Sequence, residues 1–205
     1  MKFNKGLIIF LTGGPASGKD TQAALLAKKL KAKKLNVSEI LDSFFQQTKK
    51  RYLRIGKKLI NLQREREKRF SGNLVSFDLV AYLMKEEILK NFSLNRPLIV
   101  LGGPRSLKEA KTYLNLVKKL KCPFLFIYLE VSEEEMIRRS LKRQRSDALD
   151  EPAKIKKRIE LFKKYTLPAL NFLKKRKLLT QINGEGEVKE IHQEIWQKIK
   201  NLLNF

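Results

Sequence analysis

The chain has 205 residues, and 45 lysines and arginines against 21 aspartates and glutamates give it a formal charge of +24. This length favours one domain, and 42% hydrophobic residues are enough for a packed core, which excludes wholesale disorder. No apolar run approaches the roughly 20 residues of a membrane-spanning helix, so no membrane partner is expected. The single cysteine, Cys122, cannot form an internal disulfide, which is typical of a reducing compartment and predicts a cytoplasmic protein.

The positive charge is concentrated in two windows. Residues 28–70 carry 15 basic and 4 acidic side chains, residues 138–181 carry the same numbers, and the rest of the chain is nearly neutral. Charge of this strength indicates a polyanionic partner, either a nucleic acid or a ligand with several phosphates. A general lysine bias is the alternative interpretation, and incidental RNA binding is compatible with both.

The N-terminal half is predicted to begin with a buried strand at residues 7–12, because Leu7–Leu11 are all apolar. This run is short and leads into Gly-Gly-Pro, so we expect a strand rather than an export signal. Helical spacing of apolar residues predicts a helix from Thr21 to about Leu35 and another from Leu74 to about Phe92. The polar stretch between them, from Val37 to about Gly72, predicts two short helices.

The C-terminal half continues the alternation of strands and helices. Each of the strands predicted at 97–101 and 123–130 is followed by a serine with a glutamate three residues on, the pattern that begins a helix. Strands alternating with helices predict a three-layer α/β fold around a parallel sheet. The remaining predicted elements are a long helix from Ile155 to about Lys175 bent near Pro168, a strand at 178–182 and a helix at 188–203.

Residues 13–19, Gly-Gly-Pro-Ala-Ser-Gly-Lys, have the spacing G-x-x-x-x-G-K between a predicted strand and a predicted helix. This is the context of a phosphate-binding loop, in which backbone N–H groups surround phosphate oxygens at a helix N-terminus. Lys19 can reach the β- and γ-phosphates of a nucleotide, and Thr21 can reach the shell of a Mg²⁺ ion. Asp20 stands where comparable loops have Ser or Thr, and it either begins the helix or helps to hold magnesium. A chance glycine-rich turn is the alternative for the whole loop.

Four later stretches accompany the loop, in a fixed order. They are Gly72-Asn73-Leu74-Val75, then Gly102-Gly103-Pro104-Arg105-Ser106, then Arg139, Arg143, Arg145 and Arg158 with Lys156-Lys157, and finally Thr166-x-Pro168. Over about residues 7–200 this series resembles the adenylate kinase family, with its motifs G-x-P-G-x-G-K-G-T-Q, G-x-L-V, G-F-P-R-T, lid arginines and T-x-P. The resemblance implies a P-loop kinase fold that transfers a phosphoryl group from Mg·ATP to AMP and gives two ADP.

The resemblance also implies one kinase domain over residues 1–205, with two mobile inserts. The core comprises residues 1–35, 76–138 and 159–205. An insert at residues 36–75 would bind the monophosphate acceptor, and a short lid at residues 139–158 would cover ATP. A lid this short, without a set of cysteines, implies no zinc site.

The family motifs assign three sets of site residues. The catalytic set would be Lys19, Arg105, Arg143, Arg145 and Arg158. The ATP-binding set would be Gly13, Pro15, Ala16, Ser17, Gly18, Lys19, Asp20, Thr21, Arg139 and Arg143, with Mg²⁺ near Thr21 and Asp20. The acceptor-binding set would be Ser38, Glu39, Asn73, Val75, Gly102, Arg105, Glu109, Arg145 and Arg158. A solvent-facing stripe is the alternative for Arg139 and Arg143, which lie one helical turn apart.

The chain departs from the family in the motif that frames the acceptor nucleotide. The family's S-T-G-D-x-x-R is replaced by Val37–Asp42, which puts Glu39 at the threonine position. Phe44 lies near the position of the missing arginine, and Arg51 or Arg54 could substitute for it.

Two further departures concern the acceptor base and the metal. Glu109 replaces the family's glutamine that contacts adenine, and a glutamate cannot donate to a ring nitrogen unless it is protonated. Leu101 replaces an aspartate of the usual magnesium shell, for which Asp20 could compensate. A kinase of UMP or CMP is therefore one alternative to adenylate kinase activity, and an RNA-associated ATPase on the same fold is another.

Overall fold

The structure is a computed structural model that describes residues 6–71, 73–143 and 151–203. None of the described helices is both long and apolar enough to cross a membrane. The strands are β1 (Ile8–Gly13), β2 (Lys33–Asn36), β3 (Tyr52–Ile55), β4 (Lys58–Asn61), β5 (Leu98–Leu101), β6 (Phe124–Glu130) and β7 (Leu179–Asn183). The helices are α1 (Lys19–Leu30), α2 (Val37–Gln47), α3 (Leu62–Phe70), α4 (Phe77–Asn91), α5 (Leu107–Leu120), α6 (Glu133–Arg143), α7 (Pro152–Leu161), α8 (Leu167–Lys174) and α9 (Val188–Leu203), and a π-helical segment (Phe162–Thr166) joins α7 to α8.

The central sheet is parallel, with five strands in the order β2-β5-β1-β6-β7. Its middle strand, β1, is buried on both faces. Ile8 and Phe10 pack into one core with α4 and α5, whereas Ile9 and Leu11 pack into another with α1 and α9. Successive side chains of a strand point to opposite faces, so helices cover both sides of the sheet. The predicted three-layer α/β fold is confirmed.

The two glycine-containing loops meet at one edge of this sheet. Strands β1 and β5 are neighbours, and Leu11 pairs with Leu101 in their parallel register. The chain therefore leaves both strands in the same direction, into the loops that begin at Gly13 and Gly102. The carboxyl ends of parallel strands are where open α/β sheets bind ligands.

The predicted helix from Thr21 to Leu35 is wrong at its C-terminal end. Helix α1 ends at Leu30, and Lys31 takes a left-handed conformation (φ 50°) that stops the helix. The chain then forms β2, which pairs with β5 at the sheet edge. Only Leu35 is buried in this lysine-rich strand, so its sequence lacks the apolar run of the inner strands.

The two short helices predicted between Val37 and Gly72 are present as α2 and α3, but a β-hairpin separates them. Strands β3 and β4 pair antiparallel, with Ile55 opposite Lys58, and Gly56 supplies the positive φ of the two-residue turn. Both strands are largely exposed, so their sequence has no strong apolar alternation.

The long helix predicted around Pro168 is broken into α7, the π-helical segment and α8. Pro168 lies in the first turn of α8. Because proline has no N–H and its ring crowds the preceding turn, a regular α-helix cannot continue through this position. The wider π-helical turn directly before it is one way in which a helix accommodates such a disturbance.

Candidate functional site

The loop between β1 and α1 has the backbone of a phosphate-binding loop. Gly18 directly precedes the helix with φ 82° and ψ 3°, a left-handed conformation that favours glycine. A side chain at Gly13 could not fit, because its Cβ would lie 2.4 Å from Ser17 Oγ and 3.0 Å from the Leu129 carbonyl oxygen. Among the described residues no side chain caps the N-terminus of α1, so its first N–H groups can serve an anion.

Lys19 is folded back over this loop. Its Nζ donates to the Gly14 carbonyl at 3.1 Å and lies 3.9 Å from Asp20 Oδ2. Burial, together with the positive charge of Arg105 and against the opposing effect of Asp20, lowers the pKa of Lys19 to about 8. Among the described residues, one carbonyl oxygen and a neighbouring carboxylate thus hold the ammonium group at the loop. Phosphate oxygens of a bound nucleotide can replace both contacts.

One cleft of about 520 Å³ joins the phosphate loop to the loop after β5. Eleven of the predicted site residues line it: Gly13, Pro15, Lys19, Asp20, Ser38, Glu39, Asn73, Gly102, Arg105, Arg143 and Arg158. The positive charges of Arg105, Arg158 and Arg143 all reach Lys19, where they lower its pKa. The cleft therefore gathers five basic side chains, these four and Arg69, around a space of nucleotide size.

The other predicted site residues lie elsewhere. Val75 and Glu109 line a second, smaller cavity, and several of the residues that line this cavity also line the cleft. Ala16, Ser17 and Gly18 belong to the phosphate loop itself, and Thr21 is exposed on α1, but none of these four lines the cleft. Arg145 lies outside the described residues, as does Gly72 of the G-x-L-V motif.

Arg105 is anchored in the cleft by hydrogen bonds from its side chain and its backbone. Its Nε donates to the Gly102 carbonyl at 2.7 Å, and its Nη2 donates to Ser38 Oγ at 3.1 Å. Thr166 Oγ1, from the T-x-P motif, donates to the Arg105 carbonyl at 3.2 Å and holds its backbone. Burial lowers the pKa of Arg105 from its ordinary value, and Glu109 opposes that shift. A guanidinium always remains charged in a protein, so a buried one requires an anion or several acceptors.

Glu109 is fully buried behind Arg105 and is already saturated with donors. Its Oε2 accepts from the Arg105 backbone N–H at 3.2 Å and from the Tyr113 hydroxyl at 3.3 Å, and its Oε1 accepts from Ser106 Oγ at 3.2 Å. Burial raises the pKa of Glu109 above its ordinary value. Ser106 also caps α5 by accepting from the Glu109 N–H, so the predicted helix start is confirmed.

The smaller cavity, of about 30 Å³, is apolar on one side and polar on the other. Its apolar wall comes from α2, α4 and the segment between α3 and α4, and its polar wall faces the cleft. The apolar residues are Leu41, Leu74, Val75, Phe77 and Val80, and the polar ones are Arg69, Asn73, Arg105 and Glu109.

Arg69 is a site residue that the sequence analysis missed. It lies at the end of α3, lines both the cleft and the smaller cavity, and forms two hydrogen bonds with Asp42. The suggested substitutes, Arg51 and Arg54, are exposed at the hairpin and line neither space. The one sequence signal for Arg69 was its position three residues before the Gly72-Asn73-Leu74-Val75 motif.

Arg139 and Arg143 face different surroundings, although they share a helix. Arg139 donates from Nε to Glu135 at 2.5 Å and from Nη1 to the Gly184 carbonyl at 2.8 Å, whereas Arg143 lines the cleft. Hydrogen bonds from Arg138 and Arg139 lower the pKa of Glu135 to about 2. Arg139 is therefore fixed beside the loop that follows β7, and it does not line the cleft.

The described residues offer few ligands for a metal ion. Nowhere in residues 6–71, 73–143 and 151–203 do three His, Cys, Asp or Glu side chains come together. Magnesium bound with ATP needs only one or two carboxylates, because phosphate oxygens and waters complete its octahedron. Asp20 projects an exposed carboxylate at the edge of the cleft next to Lys19, and this donor fits such an ion.

A parallel α/β sheet with a phosphate loop at the end of its central strand and a basic cleft beside it defines a P-loop nucleotide-binding protein. The family model described as "Adenylate kinase" matches residues 11–178. Adenylate kinase isoenzyme 1 from Gallus gallus is 32% identical over 197 residues, which are 95% of either chain. The human isoenzyme 1 is 28% identical over 196 residues (95% of this chain, 94% of the relative), and adenylate kinase from Prochlorococcus marinus (strain MIT 9301) is 30% identical over 193 residues (94% and 97%). The chain belongs to the adenylate kinase family, as its motifs predicted, and it is a nucleoside monophosphate kinase.

Proposed function

We propose that this chain catalyses the reversible reaction Mg·ATP + AMP ⇌ 2 ADP. The observation that carries the proposal is the single cleft with the Lys19 phosphate loop at one end and the Arg105 anion site at the other. A phosphoryl donor at the loop and a phosphate acceptor at Arg105 would share one basic, partly enclosed space. That arrangement suits transfer between two bound nucleotides better than hydrolysis by water.

The transfer itself needs no covalent enzyme intermediate. An oxygen of the AMP phosphate bonds to the γ-phosphorus of ATP, and the bond from that phosphorus to the β–γ bridging oxygen breaks, with its electron pair left on ADP. Negative charge shifts across the cleft during this step, and Lys19, Arg143 and Arg158 are placed to stabilise it. Arginines that act in this way contribute roughly 10³–10⁵-fold to phosphoryl-transfer rates.

The assignment of binding residues forms part of the proposal. ATP would occupy the phosphate loop, with Asp20 as the nearest protein ligand for its magnesium and Arg139 beside the adenine. The acceptor phosphate would bind Arg105, and the acceptor base would lie in the part of the cleft that borders the smaller cavity. Three further points stay predictions. They are the mobility of the inserts at residues 36–75 and 139–158, a cytoplasmic location and incidental RNA binding.

Product analysis tests the proposed reaction. With ATP, AMP and magnesium, we expect two ADP for each AMP consumed, and no inorganic phosphate beyond the level without enzyme. ATP hydrolysis that depends on added RNA and proceeds without AMP would instead support an RNA-associated ATPase, and RNA binding would then fall steeply with salt.

A further inference from the structure

Arg69 is an arginine of the cleft that none of the family motifs assigned. Its side chain is 23% exposed and borders both the cleft and the smaller cavity, as Arg105 does. It comes from the last turn of α3, whereas Arg105 comes from the loop after β5. Two guanidinium groups from separate elements therefore meet at the boundary between these two spaces.

Asp42 fixes the orientation of Arg69. Nε and Nη2 of Arg69 donate to Oδ1 and Oδ2 of Asp42, each at 2.8 Å, which is the two-bond geometry of a well-aligned arginine–carboxylate pair. These bonds use one edge of the guanidinium. Its Nη1 makes no hydrogen bond to any residue that the structure describes, so the end of the group is available to a ligand.

The charges of Arg69 and Arg105 act on one another. Burial lowers the pKa of Arg105, and Arg69 is among the positive charges that lower it further. Two cations held this close are unfavourable unless an anion lies between them. A phosphate at Arg105 would relieve that repulsion and would meet a second donor already in place.

We propose that Arg69, held in position by Asp42, is the second guanidinium that binds the phosphate of the acceptor nucleotide. The inference rests on the proposed function, because it places the acceptor phosphate at Arg105. The arginine that the family motif places near Phe44 is missing, and α2 carries no basic side chain. The inference assigns the role of that arginine to Arg69 of α3.

Titration with AMP and with adenosine, followed by NMR so that weak binding is measurable, tests the proposal in the whole chain. Adenosine lacks the phosphate but keeps the base and ribose. Arg69→Ala should weaken AMP binding roughly 10- to 100-fold, the usual range for a charged hydrogen bond, and should leave adenosine binding unchanged. Arg69→Lys should fall between wild type and Arg69→Ala, because an ammonium keeps the charge without the fork.

Arg64→Ala is the matched control, since Arg64 is an exposed arginine of the same helix outside the cleft. It should bind both ligands like the wild type. Equal weakening of AMP and adenosine in Arg69→Ala would assign Arg69 a structural role, and unchanged AMP binding would remove it from the site. Either result overturns the inference.

Arg105→Ala separates this inference from the proposed function. If Arg105→Ala weakens AMP binding and Arg69→Ala does not, the acceptor site stands and only the role of Arg69 is wrong. If neither variant weakens AMP binding, the acceptor phosphate does not bind here at all.

Discussion

Arg105 donates from Nη2 to Ser38 Oγ at 3.1 Å, although 67 residues separate them in the chain. Ser38 lies in the first turn of α2, and Arg105 lies in the loop after β5. This bond ties the segment proposed to bind the acceptor to the central sheet. Together with the bond from Nε to the Gly102 carbonyl, it fixes the orientation of the guanidinium in the cleft.

We expect Ser38→Ala to weaken use of AMP without affecting ATP. Because Ser38 acts on AMP only through Arg105, we expect less than the full effect of a charged hydrogen bond, roughly a 3- to 30-fold rise in the KM for AMP, with the KM for ATP unchanged. Steady-state kinetics with each substrate varied in turn checks this. Ser43→Ala, an exposed serine on the same helix, is the control and should behave like the wild type. A parallel rise in both KM values would contradict the assignment of Ser38 to the acceptor side.

The lowered pKa of Lys19 predicts a pH dependence of ATP binding. Phosphate binds the protonated ammonium, and Lys19 in the free protein loses its proton as the pH rises through about 8. The dissociation constant of ATP should therefore rise above this pH, by up to about tenfold per pH unit. Equilibrium titrations with ATP between about pH 6.5 and about pH 9.5, on both sides of the pKa of Lys19, measure the effect. Lys19→Met should bind ATP weakly and without this dependence, and a flat profile in the wild type would refute the role of Lys19.

Glu109 predicts a pH dependence of stability. Its pKa is raised on folding, so the folded protein keeps a proton that the unfolded chain has already lost. The free energy of unfolding should fall as the pH rises above the ordinary glutamate value of 4.5, toward the higher folded value. Glu109→Gln, which has a similar shape and no titrating group, should lack this loss.

Denaturant unfolding of both proteins at about pH 5 and about pH 7.5, both above the ordinary glutamate value, checks the effect of Glu109. Glu194→Gln is the control, because Glu194 is exposed on α9. If the difference in stability between wild type and Glu109→Gln is the same at both pH values, Glu109 is not the group responsible.

Asp20 should contribute to magnesium use. Because it is the carboxylate beside Lys19 at the edge of the cleft, Asp20→Ala should raise the magnesium concentration that gives half-maximal activity by roughly tenfold. Asp20→Glu keeps a carboxylate and should recover part of the loss. Wild-type activity of Asp20→Ala at limiting magnesium would show that Asp20 only begins the helix.

The parts of the molecule that depend on neighbouring residues could be predicted from the sequence. The phosphate loop is one continuous motif between a strand and a helix, and the capping serine at Ser106 lies three residues from Glu109, so both are local patterns. The three-layer fold also follows, because inner strands such as β1 are continuous apolar runs.

The parts that depend on contacts between distant segments could not be predicted. Strand β2 exists because its backbone pairs with β5, while its own lysine-rich sequence resembles the end of a helix. Arg69 reaches the cleft because α3 packs beside Asp42 of α2, 27 residues earlier. Motif spacing does not record such a contact, and it pointed instead to Arg51 and Arg54, which do not line the cleft.

The most direct test of the account is the acceptor specificity of the purified protein with ATP and magnesium. We expect kcat/KM for AMP to exceed the values for CMP and UMP by roughly 10²-fold or more. With AMP as the acceptor, ATP and AMP should both be converted to ADP, with no other product. Lys19→Ala, assayed in parallel, should lower kcat by at least about 10²-fold, which ties the activity to this cleft. Faster turnover with CMP or UMP than with AMP, or full activity in Lys19→Ala, would contradict the account.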